Sequence, residues 1–332
     1  MKYTSFALPD LASSCDYNLR FNKYHRSVSP ETKKWFFRLS PASQADLTTY
    51  DAQRFTLLAA VCYPDAGYPQ LRVCSDFLAY LFYLDNLTDD MDDKSTRSVA
   101  DLVLNSLNEP ETFQTQYRIG KMTSDYFKRI IQTSNDGTKK RFIDTMDSFF
   151  KSVDDQARDR LAGHIPDLES YIALRRETSG CKTCFSLIEY ANNLHIPDEV
   201  ISHPHIEQME TAANDVVSFA NDIYSFNIEQ SKGDTHNMIP VLMHANPDMD
   251  FLEAVSFVRD LTIKAMDRFN ELRATLPSWG LDIDKDMKVY VNGLENWMVG
   301  ILFWSFETER YFGKSVRSVK ATKTVNLLPS RA

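Results

Sequence analysis

Long stretches of this chain carry apolar residues at helical spacing, and few residues interrupt them. The 332 residues include only 10 glycines, and runs that alternate apolar and polar residues, as half-buried β-strands do, are scarce. Several prolines fall between the periodic stretches, where a missing amide donor and a fixed φ are harmless. The pattern predicts an all-α protein, a helical bundle.

The chain is predicted to form one domain spanning residues 1–332. No Pro/Gly/Ser-rich linker, internal repeat or shift in composition divides the sequence. After Gly313 the sequence becomes polar and basic, which is typical of a frayed end. Residues 315–332 are therefore predicted to be a flexible C-terminal tail.

Charge and composition limit the location and the partners of the protein. A net charge of −9 offers no basic surface for nucleic acid. No apolar run reaches the ~20 residues of a membrane span, and the N-terminal sequence lacks the apolar core of a secretory signal. Five cysteines, an odd number, are typical of a reducing compartment. We expect a cytoplasmic protein without stable membrane insertion.

Two short stretches place oxygen ligands on helix faces. Residues four apart on an α-helix differ by about 40° around its axis, so Asp85 and Asp89 share a face. Asn221, Ser225 and Glu229 share another in the same way. Carboxylate, amide and hydroxyl oxygens suit Mg²⁺, which usually takes one or two carboxylates together with substrate phosphates. The two stretches therefore predict a divalent-metal site for a phosphorylated ligand.

The surroundings of the first stretch are apolar. Residues 77–84 are continuously apolar or aromatic, so the helix is predicted to deliver the Asp85 carboxylate to the rim of an apolar cavity. A solvated acidic helix end is the simpler explanation of this stretch taken alone. A polar stripe on an amphipathic helix is the corresponding explanation of the second stretch, but an Asn/Ser/Glu repeat of four is harder to obtain by chance.

The two stretches resemble the aspartate-rich motif and the Asn-x-x-x-Ser-x-x-x-Glu motif of class I terpene synthases, particularly the fungal and microbial sesquiterpene synthases. The first motif departs from the common Asp-Asp-x-x-Asp because its second residue is asparagine, a change that the family tolerates. The resemblance implies that Asp85 binds two Mg²⁺ ions and that Asn221, Ser225 and Glu229 hold a third, with Mn²⁺ as a substitute ion. For Asp89 it leaves two roles open, binding metal or organising a neighbouring arginine.

Cationic residues extend the resemblance along the chain. Arg175 lies forty-six residues before Asn221, where members of the family carry an arginine that senses the diphosphate of the substrate. Arg176 is the adjacent alternative. Lys232 follows Glu229 by three residues and matches a lysine that reaches the diphosphate. The resemblance implies that Arg175 and Lys232 bind this group.

Two further features fit the same family. Ser179 lies at a predicted helix break, for which Gly180 gives a steric reason, and the resemblance implies that a backbone carbonyl there faces the ionising carbon. Arg310 and Tyr311 match the family's Arg-Tyr pair, whose guanidinium can bind phosphate oxygens bidentately. Catalytic roles are therefore implied for Arg175, Ser179, Arg310 and Tyr311.

The implied chemistry requires a closed apolar pocket. Metal ions and cationic side chains neutralise a diphosphate leaving group, and the allylic C–O bond ionises to a carbocation that water would capture. Aromatic faces favour positive charge, so aromatic and aliphatic residues are expected to form the walls. The candidate wall residues, chosen for their positions on the first and last motif helices, are Phe77, Leu78, Leu81, Trp297, Ile301, Trp304 and Tyr311.

The resemblance predicts a Mg²⁺-dependent sesquiterpene synthase that ionises farnesyl diphosphate and releases a hydrocarbon or an alcohol. Three alternatives stay open: a synthase of a linear alcohol such as nerolidol or linalool, a prenyl transferase, and a non-catalytic binder of isoprenoid diphosphates. The Asn221 motif stands where a prenyl transferase carries a second Asp-Asp-x-x-Asp motif, which argues against that alternative. The expected assembly is a monomer or a homodimer. A second hypothesis for the basic C-terminal segment is that it folds over the cavity when diphosphate binds.

Overall fold

The computed structural model describes residues 3–40, 42–88, 91 and 93–329. In this part of the chain nearly all regular structure is helical, and one pair of short antiparallel strands, β1 (Ser5–Ala7) and β2 (Thr324–Asn326), joins its two ends. The α-helices, numbered in chain order, are α1 (His25–Phe37), α2 (Gln44–Gln53), α3 (Phe55–Cys62), α4 (Tyr68–Thr88), α5 (Asp93–Asn108), α6 (Arg118–Ile131), α7 (Asp136–Ala162), α8 (Leu168–Thr178), α9 (Cys181–Asn192), α10 (Asp198–Ile201), α11 (Pro204–Lys232), α12 (Met238–Ala245), α13 (Phe251–Ala274), α14 (Leu281–Trp304) and α15 (Val316–Thr322). The all-α prediction is confirmed.

Local chemistry sets several of the helix ends. Ser43 before α2 and Asp250 before α13 each accept a hydrogen bond from the third backbone amide of the helix. The acidic residues at those third positions, Asp46 and Glu253, bind the capping residue's own amide in return. Gly233 ends α11 in the left-handed conformation, with φ at +81°. These ends can be recognised from the sequence because they depend on neighbouring residues.

The longest helix, α11, runs through the interior of the protein. It packs against α8, α9, α12, α13 and α14, and its residues are buried on most sides from Ala212 to Asn227. Because α11 is buried in this way, polar side chains on it must face an internal cavity or a buried partner. Within the described residues no helix is both long enough and apolar enough to cross a membrane.

The C-terminal segment forms α15 and β2, so the prediction of a flexible tail at residues 315–332 is wrong for its described part, which ends at residue 329. Val316, Val319 and Val325 are buried, and Val325 pairs with Phe6 in the register of the two strands. Burial of these three valines stabilises the packed segment. The basic residues between them made the segment look like a solvated tail in the sequence. None of its described residues lines the cavity described below, and the hypothesis that the segment folds over the cavity when diphosphate binds stays a prediction.

Candidate active site

A cavity of about 280 Å³ lies between α4, α7, α8, α9, α11 and α14. Part of its wall is aliphatic and aromatic, and the predicted wall residues found there are Leu78, Leu81, Trp297, Ile301 and Tyr311. The remaining wall is polar and charged, and contains the predicted site residues Asp85, Arg175, Ser179, Asn221, Ser225, Glu229, Lys232 and Arg310. The folded chain therefore brings the polar motif residues and an apolar compartment into one cavity. Asp89 lies outside the described residues.

The three polar positions of α11 face this cavity together. Ser225 Oγ donates a hydrogen bond of 2.8 Å to the backbone carbonyl of Asn221, one turn earlier. Asn221 Oδ1 accepts from Arg175 Nη2 at 2.8 Å, and its Nδ2 donates to the Tyr311 hydroxyl at 2.8 Å. The α11 motif is thus hydrogen-bonded to the predicted diphosphate sensor and to the Arg-Tyr pair.

Arg175 is fixed by Asp222, a residue that the sequence analysis missed. Arg175 Nε donates to Asp222 Oδ1 at 2.9 Å, and the Tyr171 hydroxyl donates to the other carboxylate oxygen at 2.6 Å. The amide of Met238 donates to that same oxygen at 3.1 Å. Burial by itself would lower the pKa of Arg175, but the Asp222 carboxylate and Tyr171 raise it. In the sequence, the one feature that pointed to Asp222 was its position next to Asn221.

Arg310 contacts the C-terminal end of α4. Its Nη2 lies 2.8 Å from Asp85 Oδ2, its Nη1 donates to Asn86 Oδ1 at 3.2 Å, and its guanidinium carbon lies 4.7 Å from the centre of the Phe82 ring. The arginine therefore rests on the acidic end of α4.

Among the carboxyl groups that line the cavity, Glu229 has the pKa that is raised most. Loss of hydration and the nearby Asp222 carboxylate raise its pKa to about 8, although Asn237 Nδ2 donates to Glu229 Oε2 at 2.8 Å. A carboxylate in such surroundings is ionised more readily when a cation binds beside it. The chemistry of the donor set thus fits a hard divalent cation.

The other possible protein ligands near Glu229 determine how many further ligands a cation would take from a bound molecule. In the described ranges, no group of three or more His, Cys, Asp or Glu side chains is arranged to hold a metal ion. Asn221 and Ser225 contribute an amide and a hydroxyl oxygen instead. A cation bound here would therefore complete its coordination with oxygens of a ligand, as Mg²⁺ commonly does with phosphates.

The predicted helix break is confirmed. Helix α8 ends at Thr178, α9 begins at Cys181, and Gly180 between them has φ at +70°. Ser179 Oγ donates to Asn214 Oδ1 at 2.9 Å, which ties the break to α11. Both Thr178 and Ser179 line the cavity. The break therefore lies at the cavity wall, next to the lining residues Thr178 and Ser179.

Gly180→Ala is expected to destabilise the protein more than Gly163→Ala does. Both glycines have a positive φ, which costs an alanine roughly 1–2 kcal/mol. A methyl group at Gly180 would also lie 3.2 Å from Leu81 Cδ2, whereas nothing lies within 4 Å of one at Gly163. Urea unfolding of both variants measures the difference. Equal losses would show that Leu81 moves aside at no cost.

Arg176, the alternative to Arg175, faces elsewhere. Its guanidinium binds Asp215 through two hydrogen bonds of 2.7 Å, and it does not line the cavity. Since the two arginines are adjacent on α8, they point about 100° apart around the helix axis. The structure therefore brings only Arg175 to the Asn221 motif.

Two predicted wall residues, Phe77 and Trp304, do not line the cavity. Phe77 packs in the core against aromatic rings that include Phe142, at a ring distance of 5.2 Å. Trp304 is fully buried, donates from Nε1 to the backbone carbonyl of Arg54 at 2.9 Å, and packs against Phe82. Both predictions were wrong because α4 and α14 are buried on several sides, and helical spacing does not show which buried side borders a void.

The structure adds a part of the wall that the sequence analysis missed. It comes from α7 and from the loop between α11 and α12, and its residues are Phe149, Val153, Gln156, Arg160, Asp234 and His236. Nothing in the sequence marks the α7 residues, which lie far from every motif. His236 follows Glu229 by seven residues, and this was the one feature of the sequence that pointed to a place in the site.

Comparisons with known proteins agree with this geometry. Residues 76–268 match the model of terpene synthase family 2, C-terminal metal binding. The chain is 55% identical over 322 residues to sesquiterpene synthase Agr1 of Cyclocybe aegerita, covering 97% of this chain and 93% of that protein. It is 50% identical over 329 residues to sesquiterpene synthase 1 of Postia placenta, covering 99% and 97%. The crystal structure of α-eudesmol synthase superposes with a TM-score of 0.79 at 19% identity, covering 90% of this chain and 98% of that one.

The fold is that of the class I terpene synthases, an all-α architecture built around one cavity. The chain belongs to terpene synthase family 2. It is accordingly an enzyme, a lyase that acts on the carbon–oxygen bond of a diphosphate ester.

Proposed function

We propose that the protein is a sesquiterpene synthase that ionises farnesyl diphosphate and releases diphosphate with a sesquiterpene hydrocarbon or alcohol. The observation that carries the proposal is one cavity in which the polar positions of α11 and the acidic end of α4 adjoin an aliphatic and aromatic wall. A diphosphate with an isoprenoid chain has the same division into a charged and an apolar part. The relatives named sesquiterpene synthases support the fifteen-carbon substrate.

The residues that would hold divalent metal are Asp85 on α4 and Asn221, Ser225 and Glu229 on α11. We propose Mg²⁺ as the ion, three ions as the number, and Mn²⁺ as a substitute; the description of the family as metal binding supports a divalent cation. When bound, such ions supply positive charge that stabilises the departing diphosphate. Asp89 stays a predicted ligand from the sequence.

Four residues are proposed to bind the diphosphate: Arg175, Lys232, Arg310 and Tyr311. Arg175 is already oriented by Asp222, so little conformational entropy is lost when its remaining donors meet a phosphate oxygen. Arg310 is proposed to exchange its contact with the α4 carboxylate for the substrate. Preorganised donors aimed at the leaving group favour the charge that develops in the transition state.

The apolar part of the wall determines what happens to the cation after ionisation. Leu78, Leu81 and Ile301 offer no nucleophile and take up the space that water would fill. The Trp297 ring, also in the wall, can stabilise positive charge through its face. We propose that the helix break at Ser179 directs a backbone carbonyl towards the ionising carbon of the substrate, as the resemblance to class I terpene synthases implies.

Turnover assays with a metal-removal control test this proposal. The purified protein is incubated with Mg²⁺ and, separately, geranyl, farnesyl and geranylgeranyl diphosphate, and the organic extract is analysed by gas chromatography with mass spectrometry. We expect a fifteen-carbon product from farnesyl diphosphate, no product in excess EDTA, and recovery when Mg²⁺ is restored. Nerolidol as the sole product would support the linear alcohol synthase.

Other outcomes would overturn the proposal. Longer diphosphates formed only with added isopentenyl diphosphate would identify a prenyl transferase. Tight binding of farnesyl diphosphate without turnover would identify a non-catalytic binder. Full turnover in EDTA would contradict the assignment of Asp85, Asn221, Ser225 and Glu229.

The domain organisation, cellular location and assembly of the enzyme remain predictions from the sequence. We propose a single domain, a cytoplasmic location and a monomer or homodimer. The composition and cysteine content of the chain support the location. The packing of α3 against α14 and of α7 against α9 joins the two halves of the chain and supports the single domain.

A further inference from the structure

His236 is a buried imidazole at the cavity without a hydrogen-bond partner. It lies in the loop between α11 and α12, and its side chain is 3% exposed. Within the described residues neither ring nitrogen has a partner. The carboxylate of Asp234 lies 3.9 Å from Nδ1, beyond hydrogen-bonding distance. Unpaired buried polar groups are costly and rare, so a ring in this position indicates a partner that arrives with a ligand.

The loop that carries this ring is well anchored, so its unpaired nitrogens do not reflect a loose segment. The amide of Asp234 donates to the Glu229 carbonyl at 3.1 Å, and the amide of His236 donates to Asp234 Oδ1 at 2.9 Å. On the other side, Asn237 Nδ2 donates to the Asp222 carbonyl at 2.7 Å and to Glu229 Oε2 at 2.8 Å. The backbone is thus tied on both sides to α11, which carries the predicted metal ligands.

Arg160 on α7 lines the same cavity as this ring. Burial lowers the pKa of His236, the Asp234 and Asp159 carboxylates raise it, and the positive charge of Arg160 lowers it. Arg175 and Arg310 each bind a carboxylate. In the described part of the chain the partner of the Arg160 guanidinium is instead a backbone carbonyl, that of Met91, at 3.2 Å. Among the described residues, most of its N–H donors therefore have no protein acceptor.

We propose that His236 and Arg160 bind the diphosphate group of the substrate, in addition to Arg175, Lys232 and Arg310. This inference rests on the proposed function. A diphosphate offers many acceptor oxygens and negative charge, which suits an imidazole N–H and a guanidinium. The isoprenoid chain and a hydrocarbon product offer neither. The two residues thus hold the leaving group from α7 and the α11–α12 loop.

Binding of inorganic diphosphate in the presence of Mg²⁺, measured by isothermal titration calorimetry, tests this assignment. His236→Phe keeps the ring shape and removes both nitrogens, and its Kd is expected to rise roughly 10- to 100-fold, the value of a hydrogen bond to a charged group. His236→Gln, which restores a donor, is expected to recover part of the affinity. Arg160→Met is expected to weaken binding by a similar factor.

His164→Phe is the matched control, because His164 follows the end of α7, is 61% exposed and lies outside the cavity. Its Kd is expected to stay unchanged. Thermal unfolding of each variant reports whether it is folded, and we expect no loss for His236→Phe because two unpaired nitrogens are removed. Should that variant fail to fold, His236→Gln and Arg160→Met carry the test.

An unchanged Kd in a folded His236→Phe variant and in Arg160→Met would overturn the inference and assign both residues a structural role. Assays of the unaltered enzyme with farnesyl diphosphate run in parallel. If that enzyme forms product while the variants bind diphosphate normally, only this inference fails. If the unaltered enzyme neither binds diphosphate nor forms product, the proposed function fails as well.

Discussion

Glu229→Ala is expected to lower the rate of diphosphate release from farnesyl diphosphate by roughly 10³-fold or more, the scale of losing a major electrostatic contact to a leaving group. Glu229 supplies the only carboxylate of the α11 motif, whose other donors are the neutral side chains of Asn221 and Ser225. Without it, a cation at this position would lose its charged protein ligand on α11. Release of diphosphate measured with a coupled phosphatase assay, at saturating Mg²⁺, gives the rate.

The fold should survive this change. Desolvation already raises the pKa of Glu229 to about 8, so its carboxylate contributes little to stability in the absence of metal. The main loss is the acceptor for Asn237 Nδ2, about 1 kcal/mol. Glu207→Ala, an exposed glutamate in the first turn of the same helix, is the control and should retain full activity. Normal turnover by Glu229→Ala at saturating Mg²⁺ would disprove the metal site.

Asp222→Asn is expected to lower the free energy of unfolding by about 3–5 kcal/mol and to reduce kcat/KM strongly. The substitution keeps the shape but removes the charge that Arg175 faces, and the side chains of both residues are largely buried, at 2% and 17% exposure. Removing one partner of a buried ion pair leaves the other charge uncompensated. Arg175 would then turn away from Asn221, with which it shares the cavity wall. Urea unfolding and steady-state kinetics with farnesyl diphosphate measure the two effects.

Asp215→Asn provides the comparison on the same helix. Asp215 accepts two hydrogen bonds from Arg176, but that arginine is 36% exposed and the pair does not line the cavity. Water can replace part of the lost interaction, so we expect a smaller loss of stability and unchanged kinetics. Equal losses of stability and activity in the two variants would show that Asp222 has no special role in orienting Arg175.

The predictions from sequence succeeded where the geometry of one helix was sufficient. Asn221, Ser225 and Glu229 share a face because four residues make about one helical turn, whatever the rest of the chain does. The break at Gly180 follows from a local steric preference. Family resemblance added Arg175 and the Arg-Tyr pair, which local geometry could not have connected to α11. The structure brings all of these residues to one cavity.

Other features depended on contacts between distant segments. Asp222 is a buried partner of Arg175 only because α8 packs against α11. The C-terminal segment is ordered because Val325 pairs with a strand more than three hundred residues earlier. His236 reaches the cavity through a loop whose path is fixed by Asn237. None of these contacts leaves a periodic pattern in the sequence.

The sequence by itself determined the helical architecture and the stripe of oxygen ligands on α11. Only the tertiary structure decided which apolar residues border the cavity: Leu78 and Leu81 do, whereas Phe77 and Trp304 lie in the core. A helical repeat shows which residues share a face. Whether that face meets a void or a neighbouring side chain depends on how helices from distant parts of the chain pack together, because a cavity is the space that their side chains leave unfilled.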